Sequence, residues 1–272
     1  MAKQRDSRCI ISLIIFCLLF MSYVAVMALT ALYPSADGVV VFKDNGTTVD
    51  ASNSTQGYIM VKHTPSKKRM KMRIAFGSEY YTYDLTANDE YETFSLPFGS
   101  GQYEVQVFKN VSGNRYSNDA KISFSAEIIN DTQPYLYPSQ YINYTADSKA
   151  VEKAAELCAG LESDETKLKA IRTFIVDNIL YDYVLAATVQ SGYMPVVDNV
   201  LASGKGICFD YAALAASMLR SQNIPTKLEI GYADKTYHAW NSVFINGTWI
   251  RIDTTADANH MDVKKYTVER TY

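Results

Sequence analysis

The segment from Tyr211 to Leu219 limits the possible folds more than any other, because it is apolar on almost every side. Its apolar residues are Tyr211, Ala212, Ala213, Leu214, Ala215, Ala216, Met218 and Leu219. A helix that is apolar around its circumference is a buried one. The fold must therefore enclose this helix between other layers, and a chain of 272 residues is long enough to do so.

The composition excludes several classes of protein. Hydrophobic residues make up 48% and charged residues 20% of the chain, close to globular averages, which argues against wholesale disorder or a coiled coil. The net charge of −3 argues against a nucleic-acid partner. Two of the four cysteines, Cys9 and Cys17, lie in an apolar N-terminal run, so a disulfide-based scaffold is excluded.

The N-terminal segment is typical of an export signal. Three basic residues precede an uncharged apolar run from Cys9 to about Leu32. The small residues up to Ala28 suit a signal peptidase, whereas the length of the run also suits a membrane-spanning anchor of about 30 Å. We assign residues 1–33 to a signal peptide or signal anchor; a buried core helix is the weaker alternative. The remainder is then expected to be extracytoplasmic, either secreted or attached to the membrane by this segment only.

Residues 34–133 alternate apolar and polar side chains in short runs, as at Tyr103, Val105 and Val107. Runs of this period, separated by Gly, Asn, Ser and Pro, predict a small antiparallel β-sandwich. His63 follows one predicted strand, and we interpret it as a turn residue without a metal role. No chemistry is apparent in this region.

Residues 134–272 have a helical pattern in their first part. Asp147-Ser148 is expected to cap a helix that runs to about Leu161, and Ser163-Asp164-Glu165 to begin a second helix that ends at 181–183. A loop through Gly192 and Pro195 follows. With the preceding sandwich, this pattern predicts an α+β fold.

Cys208 lies in the first turn of the buried helix, directly after Gly204 and Gly206. Unpaired N–H groups and the positive end of the helix dipole favour a thiolate there, which is the nucleophilic form. The alternative is a small buried hydrophobe, which most free cysteines are.

A hairpin supplies partners for Cys208. Asn246-Gly247 is a strong two-residue turn signal, and it pairs Ile245 with Thr248. Continued, this register places His238 opposite Thr255 and Asp253 opposite Trp240, so that His238 and Asp253 are diagonal neighbours with Cα atoms about 7–8 Å apart. Asp253 could then accept a hydrogen bond from one ring nitrogen and leave the other for Cys208.

An ordinary surface His/Asp pair is the alternative for this hairpin. It is less favoured, because the same face carries Trp240, Phe244 and Trp249, which we expect to be buried.

These residues together resemble a known family. The motif runs through Gly206-x-Cys208-x-Asp210-Tyr211-Ala212, Leu219-Arg220, Ile224-Pro225-Thr226, Gly231-Tyr232, His238-Ala239-Trp240-Asn241 and Trp249-Ile250-x-Ile252-Asp253-x-Thr255. It is similar to the transglutaminase-like superfamily, above all to its secreted bacterial members, and extends from about Pro134 to the C-terminus. The resemblance implies a papain-like fold over 134–272, in which a Cys-bearing helix packs on an antiparallel sheet. It also implies Cys208 as nucleophile, His238 as base and Asp253 as orienting acid. Thr254 stands where the family usually has proline.

Other candidates carry weaker signals. An oxyanion hole needs the Cys208 N–H and a second donor, for which Tyr181 or Tyr183 are candidates, and Trp240 is a further candidate for the oxyanion or substrate site. Asp210 is interpreted as a local hydrogen-bonding residue, Cys158 as core and His260 as exposed. We expect no cofactor, and no metal-ligand spacing is present.

Three functions remain open from the sequence. The first is an extracytoplasmic cysteine enzyme, a transglutaminase or a cysteine peptidase or amidase. It would perform acyl transfer or hydrolysis at amide bonds of a protein or peptide, with cell-wall peptide among the candidate substrates. The second is a non-enzymatic cell-surface or wall-binding protein that retains the fold, although the intact Cys/His/Asp set argues against it. The third is adhesion through the sandwich.

Overall fold

The alternating runs of residues 34–133 form two antiparallel sheets in the computed structural model, which describes residues 31–272. The first sheet has the order β1-β2-β3-β6 and consists of Val41–Asp44, Thr47–Asp50, Tyr58–His63 and Glu92–Ser95. The second has the order β5-β4-β7-β8, where β4 is Met70–Phe76, β5 Glu79–Leu85, β7 Gly101–Ser112 and β8 Arg115–Ala126. The predicted signal peptide or anchor lies almost entirely outside the described residues.

The two sheets bury their apolar faces against each other. The ring of Phe94 lies 5.0 Å from that of Tyr83, and the ring of Phe42 lies 6.3 Å from that of Phe124. The alternating residues of β4 and β7 are buried in the same core. This packing is that of the predicted sandwich, and β1 and β2 are two short strands that the alternation did not reveal.

His63 differs from its expected place in a turn. It is the last residue of β3 and only 4% exposed. Its Nδ1 lies 2.7 Å from the Thr64 carbonyl oxygen, and its Nε2 lies 3.1 Å from Asp119 Oδ2. The ring is buried because both of its nitrogens have hydrogen-bond partners within the sandwich.

Residues 149–272 contain six helices and two further sheets. The helices are α1 Lys149–Cys158, α2 Asp164–Asn178, α3 Tyr183–Thr188, α4 Val197–Ser203, α5 Cys208–Arg220 and α6 Thr254–Ala258. A parallel pair joins β9 Leu180–Tyr181 to β10 Lys205–Gly206. The larger sheet, of order β13-β12-β11-β14, consists of Thr248–Ile252, Thr236–Ile245, Thr226–Ala233 and Tyr266–Thr271. With the sandwich, this arrangement confirms an α+β fold.

The buried helix is α5, and every residue from Asp210 to Arg220 is buried. It packs against α1, α2, α4 and α6 and against β11 and β12 of the sheet. The prediction that other layers enclose this helix is therefore confirmed.

The helices before α5 begin where predicted, but three details differ. Ser148 stands at the N-cap position of α1, but its side chain makes no capping hydrogen bond. Asp198 accepts instead from the Lys149 and Ala150 N–H groups, both at 3.0 Å. Ser163 caps α2, since its side chain accepts a hydrogen bond from the Thr166 N–H at 3.3 Å. Helix α1 ends at Cys158 rather than near Leu161. Residues 181–183 do not end α2. Tyr181 belongs to β9, and Asp182 caps α3 by accepting from the Leu185 N–H at 2.8 Å.

The sandwich and the C-terminal residues pack against each other within one unit, 31–272. The Tyr272 ring lies 5.3 Å from that of Tyr81 and 5.9 Å from that of Tyr83. A domain boundary near residue 133 remains a prediction. No helix of residues 31–272 is long and apolar enough to cross a membrane.

Candidate active site

Cys208 is the first residue of α5 and is partly exposed. Its backbone N–H is one of the first-turn groups that have no acceptor within the helix. The Asp210 carboxylate stabilises this turn by accepting from the Ile207 N–H at 2.9 Å. A Cβ on Gly206 would lie 2.6 Å from Asp210 Cβ, so only glycine permits this close approach. The expectation that Asp210 bonds locally is confirmed.

His238 lies on β12 and is 4% exposed. Its Nε2 lies 2.8 Å from Asp253 Oδ2. The hairpin has the predicted register, with Ile245 opposite Thr248 and Asn241 opposite Ile252. The sequence therefore brings His238 and Asp253 together as expected.

The pairing beyond Ile252 was wrong, because the strand ends there. Asp253 is not opposite Trp240, and Thr255 is not opposite His238. Asp253 instead caps α6, where its Oδ1 accepts from the Ala256 N–H at 2.9 Å. Short polar side chains that bond the following backbone favour helix starts over continued strand.

Hydrogen bonds favour the protonated form of His238. Burial lowers its pKa, but hydrogen bonds to Asp253 and Cys208 outweigh burial and raise it to about 9. Burial would raise the pKa of Asp253, whereas the hydrogen bond from His238 and those from Ala256 and Tyr266 hold it below its usual value. The imidazolium thus connects the Asp253 carboxylate to Cys208.

Tyr266 is a site residue that the sequence did not reveal. Its hydroxyl donates to Asp253 Oδ2 at 2.9 Å, the same oxygen that accepts from His238. It lies on β14, beyond the recognised motif, and no local pattern signals that this strand returns to the sheet.

A cavity of about 560 Å³ opens beside Cys208 and His238. Its aromatic lining includes Tyr141, Tyr181, Tyr193, Phe209, Tyr237 and Tyr272. The sandwich, in which the sequence showed no chemistry, contributes Lys71, Thr82, Tyr83 and Asp84. The cavity wall is therefore built by both parts of the described chain.

The three weaker site candidates lie in different places. Tyr181 lines the cavity, and burial together with its proximity to Cys208 raises its pKa, so its hydroxyl keeps a proton to donate. Tyr183 is 73% exposed and packs its ring 5.0 Å from that of Tyr181. Trp240 is buried, as expected, but its indole N–H donates to Glu229 Oε2 at 2.6 Å. Tyr183 and Trp240 are not among the cavity-lining residues.

Phe244 and Trp249 were expected to be buried, but both are only partly buried. Cys158 and His260 lie as expected. Cys158 is a buried free cysteine, and burial raises its pKa. His260 is exposed. Within residues 31–272, no group of three His, Cys, Asp or Glu side chains is arranged to hold a metal ion.

Comparison with known proteins gives a family for the C-terminal region. Residues 151–254 match the model of the transglutaminase-like superfamily. The UPF0252 protein MJ1282 of Methanocaldococcus jannaschii is 29% identical over 119 residues, which cover 39% of this chain and 34% of that protein. The match thus spans about a third of the relative's length.

Two solved structures are similar at lower identity. The periplasmic domain of TgpA from Pseudomonas aeruginosa is 12% identical, with a TM-score of 0.37, and the alignment covers 81% of this chain and 96% of that one. Red sea bream transglutaminase is 13% identical, with a TM-score of 0.32, and the alignment covers 73% and 48%. TM-scores this low give no information about the reaction that this chain catalyses or whether it catalyses one. The family match, however, confirms the resemblance, and residues 151–254 are identified as a transglutaminase-like region.

Proposed function

We propose that this chain is an extracytoplasmic cysteine enzyme that transfers the acyl group of a protein or peptide amide through Cys208, His238 and Asp253. The observation that carries the proposal is the position of His238. Its buried ring bonds Asp253 at 2.8 Å on one side and Cys208 on the other, beside a cavity of about 560 Å³.

The reaction follows from this geometry. The Cys208 thiolate attacks the amide carbonyl carbon and forms a C–S bond. The C–N bond then breaks, and the His238 proton moves to the departing amine. Water or an amine attacks the resulting thioester, His238 takes its proton, and Cys208 is released as the thiolate.

In this proposal two donors stabilise the tetrahedral intermediate. They are the backbone N–H of Cys208, the first residue of α5, and the hydroxyl of Tyr181, a residue that lines the cavity. Donors of this kind stabilise an oxyanion more strongly than they stabilise the ground-state carbonyl.

The test is covalent trapping with defined amide peptides. A pool of peptides that carry side-chain or terminal amides is incubated with the protein, quenched in acid and analysed by intact mass and peptide mapping. We expect an acyl adduct on Cys208, and its transfer to methylamine or water on further incubation. The Cys208→Ser variant should not form a thioester, and Cys158→Ser should behave as wild type.

Absence of any adduct in wild type, together with tight retention of the same peptides, would favour the non-enzymatic binding protein instead. The location is tested separately. Protease added to intact cells should digest residues 36–272, and their protection would contradict an extracytoplasmic location.

The proposal includes no nucleic-acid partner. The protein would contact the membrane only through its N-terminal segment.

A further inference from the structure

Arg270 lies on the wall of the cavity and is exposed. Its surroundings are tyrosines, namely Tyr141, Tyr237 and Tyr272, and it hydrogen-bonds the side chain of Tyr272. Among the described residues, no Asp or Glu carboxylate forms an ion pair with its guanidinium. An arginine held in this way presents donors that are free for an anion.

The other charges on the cavity wall do not compensate Arg270. Asp84 is the single carboxylate among the described lining residues. It already accepts from Arg69 at 3.0 and 3.2 Å, and its Oδ1 lies 3.7 Å from Lys71 Nζ. The cavity next to Cys208 therefore carries an unmatched positive charge.

A β-bulge in β14 places Arg270, and not Glu269, opposite Ile230. Strand β14 pairs Arg270 with Ile230 but Val268 with Gly231, so Glu269 is the extra residue. Without the bulge, the register that continues from Gly231 would place Glu269 opposite Ile230. Bulges re-aim side chains in this way and occur often beside active sites.

Gly231 makes the bulge possible. A Cβ at this position would lie 2.0 Å from the Thr267 carbonyl oxygen and 3.0 Å from the Glu269 nitrogen. Any other residue would separate β11 from β14 at this point. The glycine therefore permits the backbone contact that gives Arg270, and not Glu269, the position beside Ile230.

Strand pairing connects Arg270 to the residue next to His238. Arg270 is the cross-strand neighbour of Ile230, which pairs with Ala239, the residue after His238. Arg270, Ile230 and Ala239 all line the cavity. Two strand spacings put the Cα of Arg270 roughly 10 Å from the Cα of Ala239, and about three residues of extended peptide span that length.

We propose that Arg270 binds an anionic group of the acyl donor, so that the preferred substrate is a peptide or protein segment with a carboxylate about three residues from the reacting amide. This inference rests on the proposed function, because it assumes that the acyl group is presented to Cys208. Lys71, which the sandwich contributes to the cavity lining, adds to the positive potential.

The test uses two matched alkylating peptides, bromoacetyl-Gly-Gly-Asp-amide and bromoacetyl-Gly-Gly-Asn-amide. In each, the thiolate displaces bromide and forms a thioether, and the probes differ only in a carboxylate three residues from the reacting carbon. For wild type at low ionic strength, we expect the Asp probe to label Cys208 about 3- to 10-fold faster than the Asn probe. Added salt should reduce this ratio.

Three variants assign the ratio to Arg270. Arg270→Gln should bring the ratio close to one, whereas Arg270→Lys should retain part of the preference. The control is Arg115, an exposed arginine at the start of β8, and Arg115→Gln should retain the preference for the Asp probe fully. Thermal midpoints of all variants confirm that they are folded.

The outcomes separate the two proposals. Rapid labelling of Cys208 with the same ratio in wild type and Arg270→Gln would overturn the anion-binding role alone. Slow labelling of Cys208 by both probes, no faster than that of Cys158, would overturn the proposed function and this inference with it.

Discussion

Asp253 accepts three hydrogen bonds, and each comes from a different element. His238 donates from β12, Tyr266 from β14 and the Ala256 N–H from α6. Since Tyr266 and His238 share one carboxylate oxygen, Tyr266 sets the direction in which that oxygen meets the imidazole. We therefore regard Tyr266 as a positioning residue.

Replacing Tyr266 with phenylalanine removes the hydroxyl donor and retains the ring. The free energy of unfolding should fall by about 1.5–3 kcal/mol, the usual contribution of a hydrogen bond to a charged group. With Oδ2 left to His238 alone, the carboxylate should hold the imidazolium more strongly, and the pH at which Cys208 alkylation leaves its plateau should rise. Tyr232→Phe, on the same sheet, should change neither quantity. A lower stability with an unchanged pH profile would reduce Tyr266 to a structural role.

Residue identities could be predicted where the signal is local. The position of Cys208 follows from the glycines before a buried helix, and that of His238 from the Asn246-Gly247 turn, because a two-residue turn sets the register. Tyr266 and Arg270 could not be predicted, since both depend on where β14 returns to the sheet and on the bulge beside Gly231. Such long-range pairing leaves no period in the sequence.

At the scale of elements, the start of α5 is held by Asp210. Its carboxylate accepts from the Ile207 N–H at 2.9 Å and from the Tyr193 hydroxyl at 2.8 Å. The first contact fixes the turn that carries Cys208. The second attaches the loop between α3 and α4, part of which lines the cavity.

Asp210→Ala and Ser163→Ala form a matched pair of helix-start variants. The first should cost about 1–3 kcal/mol of stability and slow the alkylation of Cys208, because it frees both the turn and the loop. The second removes the cap of α2 at a cost of about 0.5–2 kcal/mol and should leave the alkylation rate unchanged. Thermal unfolding and timed iodoacetamide labelling measure the two effects. Equal labelling rates in both variants would contradict the role given to Asp210.

Element boundaries were the least predictable part of the fold. Strand β13 was expected to continue through Asp253, but the carboxylate caps α6 instead. Residues 181–183 were expected to end a helix, but Tyr181 pairs in β9 and Asp182 caps α3. In both cases an aspartate forms a local hydrogen bond that apolar periodicity does not report.

On the scale of the whole described chain, the sandwich is part of the candidate active site. Tyr83 lines the cavity and packs its ring 5.9 Å from those of Tyr141 and Tyr272. The Tyr81 hydroxyl accepts from the Thr271 N–H at 3.0 Å. These contacts join β5 to the end of β14, so the stability of the two parts should be coupled.

Tyr83→Ala tests this coupling. Loss of a buried aromatic ring should cost about 3–5 kcal/mol. Because the ring touches both parts, calorimetry should show one transition at a lower temperature, and the cavity should bind its substrates less well. The control is Tyr80→Ala, a half-exposed neighbour on the same strand, which should cost little. Two separate unfolding transitions, of which only the one at lower temperature shifts in Tyr83→Ala, would contradict the coupling.

The rate of Cys208 alkylation as a function of pH tests the central claim most directly. The imidazolium of His238, with its pKa raised to about 9, should keep the alkylation rate of Cys208 on a plateau from mildly acidic pH up to that value. His238→Ala and Asp253→Asn should instead follow an ordinary thiol, with rates that rise near pH 8.5. Iodoacetamide labelling, resolved by peptide mapping, provides the three profiles. A plateau in wild type that both variants lose is the predicted result, and three identical profiles would contradict the triad.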